Sequence, residues 1–132
     1  MTDISGSSDY YLGGFVTYAN ELKTKELGVS AELLKTRGAG DEEGARAMAI
    51  GARERTGADI AIALTGVAGP TGGTPEKPVG TVHIALADKD GVWQRKFNFL
   101  PWVRDGVREL SAETALEIVR RRVLKLRMPG EK

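Results

Sequence analysis

Residues 59–65 (DIAIALT) form a nearly continuous apolar run between an aspartate and a threonine. Such a run is typical of a β-strand that is covered on both faces, and a doubly covered sheet needs helices on each side. Strands are also predicted at 79–87 and 92–99, because the sequence DKDG at 88–91 between them is typical of a hairpin turn. Residues 12–19 (LGGFVTYA) have the aromatic and β-branched side chains of a further strand. The mixture of strands and helices predicts one α/β layered domain over residues 1–132, with a mixed sheet.

Three helices are predicted from the residues that cap them. The first covers 21–27, the second starts after a serine and ends before a glycine, and the third covers about 42–56. Their predicted N-caps are Asn20, Ser30 and Asp41, and the glycines that end them are Gly28, Gly38 and Gly57. Small residues dominate the inward stripe of the third helix, so this helix can approach a sheet closely; the stripe consists of Ala45, Met48, Ala49 and Ala52.

The last helical stretch has two apolar stripes. Val103, Val107 and Leu110 lie on one side of an ideal helix. The residues nearly opposite are Ala112, Leu116, Val119, Val123 and Leu126. Either the helix breaks near Ser111, or one long helix is packed on two sides.

Composition excludes several classes of protein and site. The 132 residues include no cysteine and the single histidine His83, which excludes disulfides, thiol nucleophiles and His-rich zinc sites. No apolar run approaches the ~20 residues of a membrane helix, and the first residues lack the pattern of a secretory signal, so we expect a cytoplasmic domain. The net charge of +1 makes a nucleic-acid partner unlikely, and the basic cluster at 120–127 is typical of a solvated helix end.

Residues 65–80 form a glycine-rich loop after the predicted buried strand. Ligands of open α/β sheets bind at the carboxyl ends of strands, and glycines let backbone N–H groups approach an anion closely. Three threonine hydroxyls, those of Thr65, Thr71 and Thr74, accompany the glycines. The loop contains neither a P-loop nor a dinucleotide-binding motif. It is a candidate anion-binding loop, and the alternative is a tight surface loop rich in proline and glycine.

Several single residues are further candidates. Lys23 lies in the first turn of a helix, whose positive end lowers the pKa of an amine, and such a lysine can serve as a general base. The alternative for Lys23 is a solvated surface lysine. His83 is expected to be packed or exposed rather than catalytic. Arg104 and Arg108 share a helical face, and either could hold a phosphate or form a surface ion pair.

Four motifs occur together in order along the chain. They are TDISGSS at 2–8, GFVTYANELK at 14–23, the loop at 65–80 and RDGVR at 104–108. In this order they resemble the CinA-type C-terminal domain, the family of nicotinamide-nucleotide amidohydrolases. The resemblance implies a three-layer α/β/α fold and one long last helix. It also implies hydrolysis of the amide of nicotinamide mononucleotide to nicotinic acid mononucleotide and ammonia, by a serine nucleophile and a lysine base, with no metal or cofactor.

The resemblance also implies roles for individual residues. Lys23 corresponds to the base, Tyr18 to an assisting tyrosine, Ser8 and Thr65 to active-site hydroxyls, and Arg104 to a substrate-binding arginine. The loop residues expected to bind the substrate are Gly66, Gly69, Gly72, Gly73 and Thr74.

One motif of the family is not present in this sequence. The nucleophilic serine of the family lies in an Ala-Glu-Ser-Cys-Thr-Gly-Gly motif upstream of the segment that resembles residues 2–8. Ser5, Ser7 and Ser8 are the only candidate substitutes. We therefore expect an amino-terminally shortened domain with weak or no turnover, which self-associates to cover apolar sheet surface. The alternative is a non-catalytic mononucleotide-binding or interaction module.

Overall fold

The computed structural model describes residues 1–38, 40–99 and 103–132. A 3₁₀ turn at Ser7–Asp9 precedes the regular elements. These are α1 (Asn20–Leu27), α2 (Ala31–Arg37), α3 (Glu42–Thr56), β1 (Ala61–Gly66), β2 (Thr81–Asp88), β3 (Gly91–Asn98) and α4 (Arg104–Val123). The predicted α/β class is confirmed.

The described strands form one sheet in the order β1-β2-β3. Both pairs are antiparallel, with Leu64 opposite Ile84 and Ile84 opposite Arg95. The predicted hairpin is confirmed, because Asp88 pairs with Gly91 across the turn. The sheet of the described residues is therefore antiparallel rather than mixed. Its strands follow one another through a loop and a hairpin, whereas a parallel pair needs a crossover connection.

Helices cover both faces of the sheet, as the layered prediction requires. On one face of β2, Ala85 and Ala87 pack with residues of α3, among them Ala45 and Ala49. On the other face lie the larger side chains of β2, which pack with α4 and are Val82, Ile84 and Leu86. Small residues face α3 because this helix lies close to the sheet, whereas branched side chains fill the space under α4. The three-layer α/β/α arrangement follows from these two clusters.

Residues 12–19 are not a strand, which corrects the prediction. The segment has no strand assignment, and its Val16 and Tyr18 side chains are 91% and 83% exposed. Aromatic and β-branched composition favours a strand only where a neighbouring strand supplies ladder hydrogen bonds. Among the described residues, β1 pairs with β2 alone, so the sheet offers this segment no ladder.

The capping predictions hold at two of three helix starts. Ser30 Oγ accepts from the Leu33 N–H at 3.3 Å, and Asp41 Oδ1 accepts from the Gly44 N–H at 2.7 Å. Asn20 is not an N-cap but the first residue of α1, since the carbonyl of Ala19 accepts the first bonds of the helix. The terminal glycines Gly28, Gly38 and Gly57 lie where they were predicted.

Helix α4 runs unbroken over 20 residues, as the resemblance implied. Ser111 does not break it, because its hydroxyl donates to the Val107 carbonyl at 2.6 Å, within the helix. The two-sided packing is wrong. The buried face combines Val107, Ser111, Ala115 and Ile118, whereas Leu116 and Val123 are 47% and 61% exposed. Across the described ranges, no helix is both long and apolar enough to cross a membrane.

Candidate functional site

The predicted glycine-rich loop connects β1 to β2 and is closed at its base by backbone hydrogen bonds. The N–H of Val67 donates to the Thr81 carbonyl, and the N–H of Gly80 donates to the Val67 carbonyl, each at 2.8 Å. At the far end, Thr74 bonds with Lys77 through two hydrogen bonds of 3.0 Å. Between these two closures the loop is exposed, including Gly72, Gly73 and Thr74. Base and tip are thus both fixed, and the backbone between them faces solvent.

Two glycines of the loop are required by local geometry. At Gly66 a side chain would overlap the carbonyl oxygen of Thr81, so β1 reaches β2 closely here only as glycine. Gly69 has a φ of +79°, in the left-handed region that favours glycine, and an added Cβ would lie 2.5 Å from Val79 Cγ1. These two positions set the direction in which the loop leaves the sheet.

Two cations tie the loop to neighbouring helices. Arg104, the first residue of α4, donates from Nη1 to the Gly69 carbonyl at 2.8 Å. Lys77 donates from Nζ to the carbonyl of Arg37, the last residue of α2, at 2.7 Å. Arg108, the alternative to Arg104, is exposed and lies 3.5 Å from Asp105 within its own helix. Of the two arginines the sequence offered, Arg104 is therefore the one at the loop. The sequence analysis does not single out Lys77, although a lone lysine in a loop of small residues is the signal that would have found it.

Lys23 is a buried lysine in α1. Its side chain is 6% exposed, and Nζ donates to the carbonyls of Thr17 at 2.6 Å and Tyr18 at 3.1 Å. Burial lowers the pKa of Lys23 below its ordinary value. The structure thus excludes the alternative of a solvated surface lysine. The cause of the pKa shift is desolvation, whereas the sequence argument relied on the helix dipole.

Tyr18 and the serines occupy exposed positions. The Tyr18 side chain lies in solvent, and only its carbonyl contacts Lys23. Ser7 and Ser8 belong to the 3₁₀ turn at Ser7–Asp9, and Ser5 and Ser8 are exposed. The hydrogen bonds recorded for this turn are local, such as those from the Tyr10 and Tyr11 N–H groups to the Ser7 carbonyl. The structure therefore brings the carbonyls of 17 and 18 to Lys23, and Arg104 to the loop, without a described contact between these serines and either group.

Thr65 lies where the loop leaves β1, next to the start of α3. It is paired with His83 of β2, so both side chains point to the α3 face. A Cβ on Gly40 would lie 3.8 Å from the Cα of Gly66, so the residue before the N-cap Asp41 packs on the end of β1. Asp41 itself is buried. The N-terminus of α3, the end of β1 and His83 therefore form one polar junction under the loop.

A separate cavity of about 640 Å³ lies along the free edge of β1. Apolar side chains of α3 and α4, together with residues 10–15 and β1, line it; they include Met48, Ala52, Val119 and Val123. Neither Lys23 nor Arg104 lines it, so the cavity and the predicted site are different places. Within the described ranges, no group of three or more acidic or histidine side chains has an arrangement that could hold a metal ion.

Comparison with known proteins decides the family. The model of the CinA C-terminal domain matches residues 1–123. The chain belongs to the CinA C-terminal domain family. The CinA-like proteins of Citrifermentans bemidjiense and Geobacter sulfurreducens are 52% and 51% identical to it over 94% of the chain. In each case the chain spans about 30% of the relative's length.

Solved structures of the CinA family share the fold. The competence/damage inducible protein CihA from Agrobacterium tumefaciens is 44% identical and superposes with a TM-score of 0.87, covering 89% of this chain and 72% of that one. The competence damage-inducible protein A from Klebsiella pneumoniae is 30% identical with a TM-score of 0.86, covering 92% and 74%. The resemblance stated from the sequence motifs is therefore confirmed at the level of family and fold.

Proposed function

We propose that this CinA-family chain carries the base and the nucleotide-binding loop for hydrolysis of the amide of nicotinamide mononucleotide. The observation that supports this best is the bonding of Lys23. A neutral amine has two N–H groups and one lone pair. Two carbonyls already take the two N–H groups of Lys23, so its lone pair is free to accept a proton. The lowered pKa of Lys23 makes that neutral form more accessible.

In the proposed reaction, Lys23 accepts the proton of the attacking hydroxyl. The oxygen attacks the carboxamide carbon, the C–N bond breaks, and the nitrogen leaves as ammonia after it takes up a proton. Water then hydrolyses the ester and gives the nicotinic acid carboxylate. The family resemblance makes the attacking group a serine; Tyr18, Thr65 and Ser8 assist or bind as that resemblance implies. A metal or cofactor plays no part in these steps.

The phosphate end of the substrate is assigned to the loop and Arg104. The guanidinium has five N–H donors, and one is used by the Gly69 carbonyl. The remaining donors lie beside exposed loop backbone at Gly72, Gly73 and Thr74, where N–H groups can reach phosphate oxygens. The net charge of the whole chain is only +1, so this local cation is what would attract an anionic nucleotide.

The test is ammonia release from nicotinamide mononucleotide by the purified protein. Lys23→Met keeps the length of the side chain and removes the amine, and we expect it to lower the rate by about 10²–10⁴-fold. Lys25→Met changes an exposed lysine of the same helix and is the matched control. Turnover that survives Lys23→Met would contradict the assignment of the base.

The second candidate function is a non-catalytic mononucleotide-binding module. It is favoured by the exposed position of Ser8 and by the fact that the chain spans about 30% of its relatives. Calorimetric titration with nicotinamide mononucleotide separates the two candidates, since binding without ammonia release supports the module. Arg104→Ala should weaken binding about ten- to hundred-fold, because a charged hydrogen bond contributes ~1.5–3 kcal/mol. Arg108→Ala, one turn further along α4, should leave it unchanged.

We also propose that a second copy of the chain covers the exposed apolar face of α4. Leu116 and Val123 project from this helix into solvent, and Leu124 and Leu126 continue the apolar surface beyond it. Contiguous apolar surface of this kind is unusual on a monomer. Light scattering should find a dimer or larger species that Leu116→Asp dissociates, whereas Glu113→Gln on the same helix should not. A monomer at all concentrations would contradict the proposal.

A further inference from the structure

His83, the single histidine of the chain, is buried at the polar junction under the loop. It lies on the α3 face of β2, directly opposite Thr65 on β1 and Lys96 on β3. Side chains opposite each other in an antiparallel pair have Cβ atoms about 4.5–5.5 Å apart. The imidazole is therefore a direct neighbour of the residue from which the loop begins. The proposed reaction gives His83 no role.

The bond to Gln94 defines the form of the imidazole. Gln94 Nε2 lies 2.8 Å from His83 Nδ1. An amide nitrogen can only donate, so Nδ1 must be the unprotonated acceptor, and the proton of the neutral ring is on Nε2. Gln94 lies on β3 and faces α3, next to Lys96 on the same strand. The tautomer is thus set by a side chain from the opposite edge of the sheet.

The surroundings of His83 favour its neutral form. Burial lowers the pKa of His83 below its ordinary value of 6.5, and Lys96 of β3 and Lys77 of the loop lower it further. Asp41 and Glu42 at the start of α3 partly oppose this. These four charged groups come from the three elements around the ring, namely β3, the loop and α3.

We propose that His83 is a positioning residue of the site: bonded to Gln94 in its neutral form, it fixes Thr65 and the start of the loop against the N-terminus of α3. This inference rests on the proposed function for its consequence, but its geometry can be tested without substrate. Protonation of Nδ1 would place two donors face to face and break the bond to Gln94. The loop start should then change its position when His83 is charged and keep it while His83 is neutral.

The experiment uses nuclear magnetic resonance, since one histidine gives an unambiguous ring signal. In the wild-type chain we expect an unprotonated Nδ1 at neutral pH. The backbone amides of Thr65, Gly66 and Gly44 should titrate with the same midpoint as the ring. Gln94→Glu replaces the amide by a carboxylate of nearly the same shape, which accepts from a protonated Nδ1 and raises the pKa of His83. Ring and amide midpoints should move upward together in this variant.

Asn98→Asp is the matched control. It makes the same amide-to-acid change on the same face of β3, opposite Thr81 rather than beside His83. It should leave the midpoints of the ring and of the Thr65 amide essentially where they are in the wild type. If the ring midpoint rises in Gln94→Glu while the three amides keep theirs, His83 does not position the loop and the proposal is overturned. A protonated Nδ1 in the wild type at neutral pH would overturn it as well.

The link to function is measured separately, by binding of nicotinamide mononucleotide as a function of pH. We expect the affinity of Gln94→Glu at pH 7 to fall roughly tenfold or more, because small displacements of binding groups have effects of this size. The midpoint of the affinity profile should follow the ring midpoint in the wild type and both variants. If no protein binds this nucleotide, the proposed substrate is wrong, and the amide titrations still decide the role of His83.

Discussion

Gly51→Ala is expected to destabilise the domain, although glycine to alanine usually stabilises a helix. Gly51 is buried in α3 where this helix crosses the end of α1. An added Cβ would overlap the carbonyl oxygen of Leu27 and lie 2.8 Å from its carbonyl carbon. These are backbone atoms of the last residue of α1, which cannot rotate away as a side chain can. The two helices must therefore separate.

The sign follows from comparing two magnitudes. Helix propensity favours alanine over glycine by ~0.8–1.0 kcal/mol. Overpacking a well-packed contact costs ~1–3 kcal/mol, and here the obstacle is backbone. The side chain of Leu27 and the neighbouring Val29, both buried in the cluster with α3, lose contact as the helices move apart. We expect the free energy of unfolding to fall by about 1–2 kcal/mol and the Tm by roughly 3–8 °C.

Urea unfolding and thermal melting of the purified variant measure this difference. Glu54→Ala, an exposed change in the same helix, should stay within about 0.5 kcal/mol of the wild type. If Gly51→Ala raises the free energy of unfolding by about 1 kcal/mol instead, propensity alone governs this position. The close approach of α1 to α3 would then be refuted.

Three further predictions concern stability. Asp41→Ala removes the buried cap of α3 and should cost about 1–2 kcal/mol in urea unfolding, whereas Asp41→Asn, which still accepts from Gly44, should retain most of it. Ile118→Ala, in the core, should cost about 2–5 kcal/mol, whereas Leu116→Ala on the exposed face should cost far less. Because the pKa of His83 is lowered on folding, the unfolded chain binds more protons just below pH 6.5. Its contribution to stability is therefore complete above that pH and is lost as the pH falls toward the folded pKa; urea midpoints at several pH values should show a loss that His83→Gln lacks.

Features that depend on neighbouring residues could be predicted from the sequence. Ser30 and Asp41 cap helices through bonds to residues three positions ahead, so the local pattern contains both partners. The apolar run at 59–65 predicted a covered strand because burial on both faces leaves no polar side chain in it. The segment at 12–19 failed for the opposite reason. Its composition suits a strand, but a strand also needs a partner, and local composition does not contain the partner.

The same distinction applies to the candidate site. The loop and Arg104 were found because glycine spacing and a recurring motif are local signals. The bond between His83 and Gln94 joins residues on two strands, and a lone histidine in a strand does not reveal which side chain will face it. The exposed stripe of α4 could not be predicted either, since periodicity identifies an apolar face without saying what covers it.

The two parts of the proposed site are held by different kinds of contact. The loop is fixed to three elements, through β2 at its base, α2 at Lys77 and α4 at Arg104. Lys23, in contrast, is held by carbonyls five and six residues away, in a segment without ladder hydrogen bonds. Nucleotide binding depends on the first part and proton transfer on the second, so changes in residues 12–19 should affect turnover more than affinity. Whatever packs against that segment therefore governs catalysis rather than recognition.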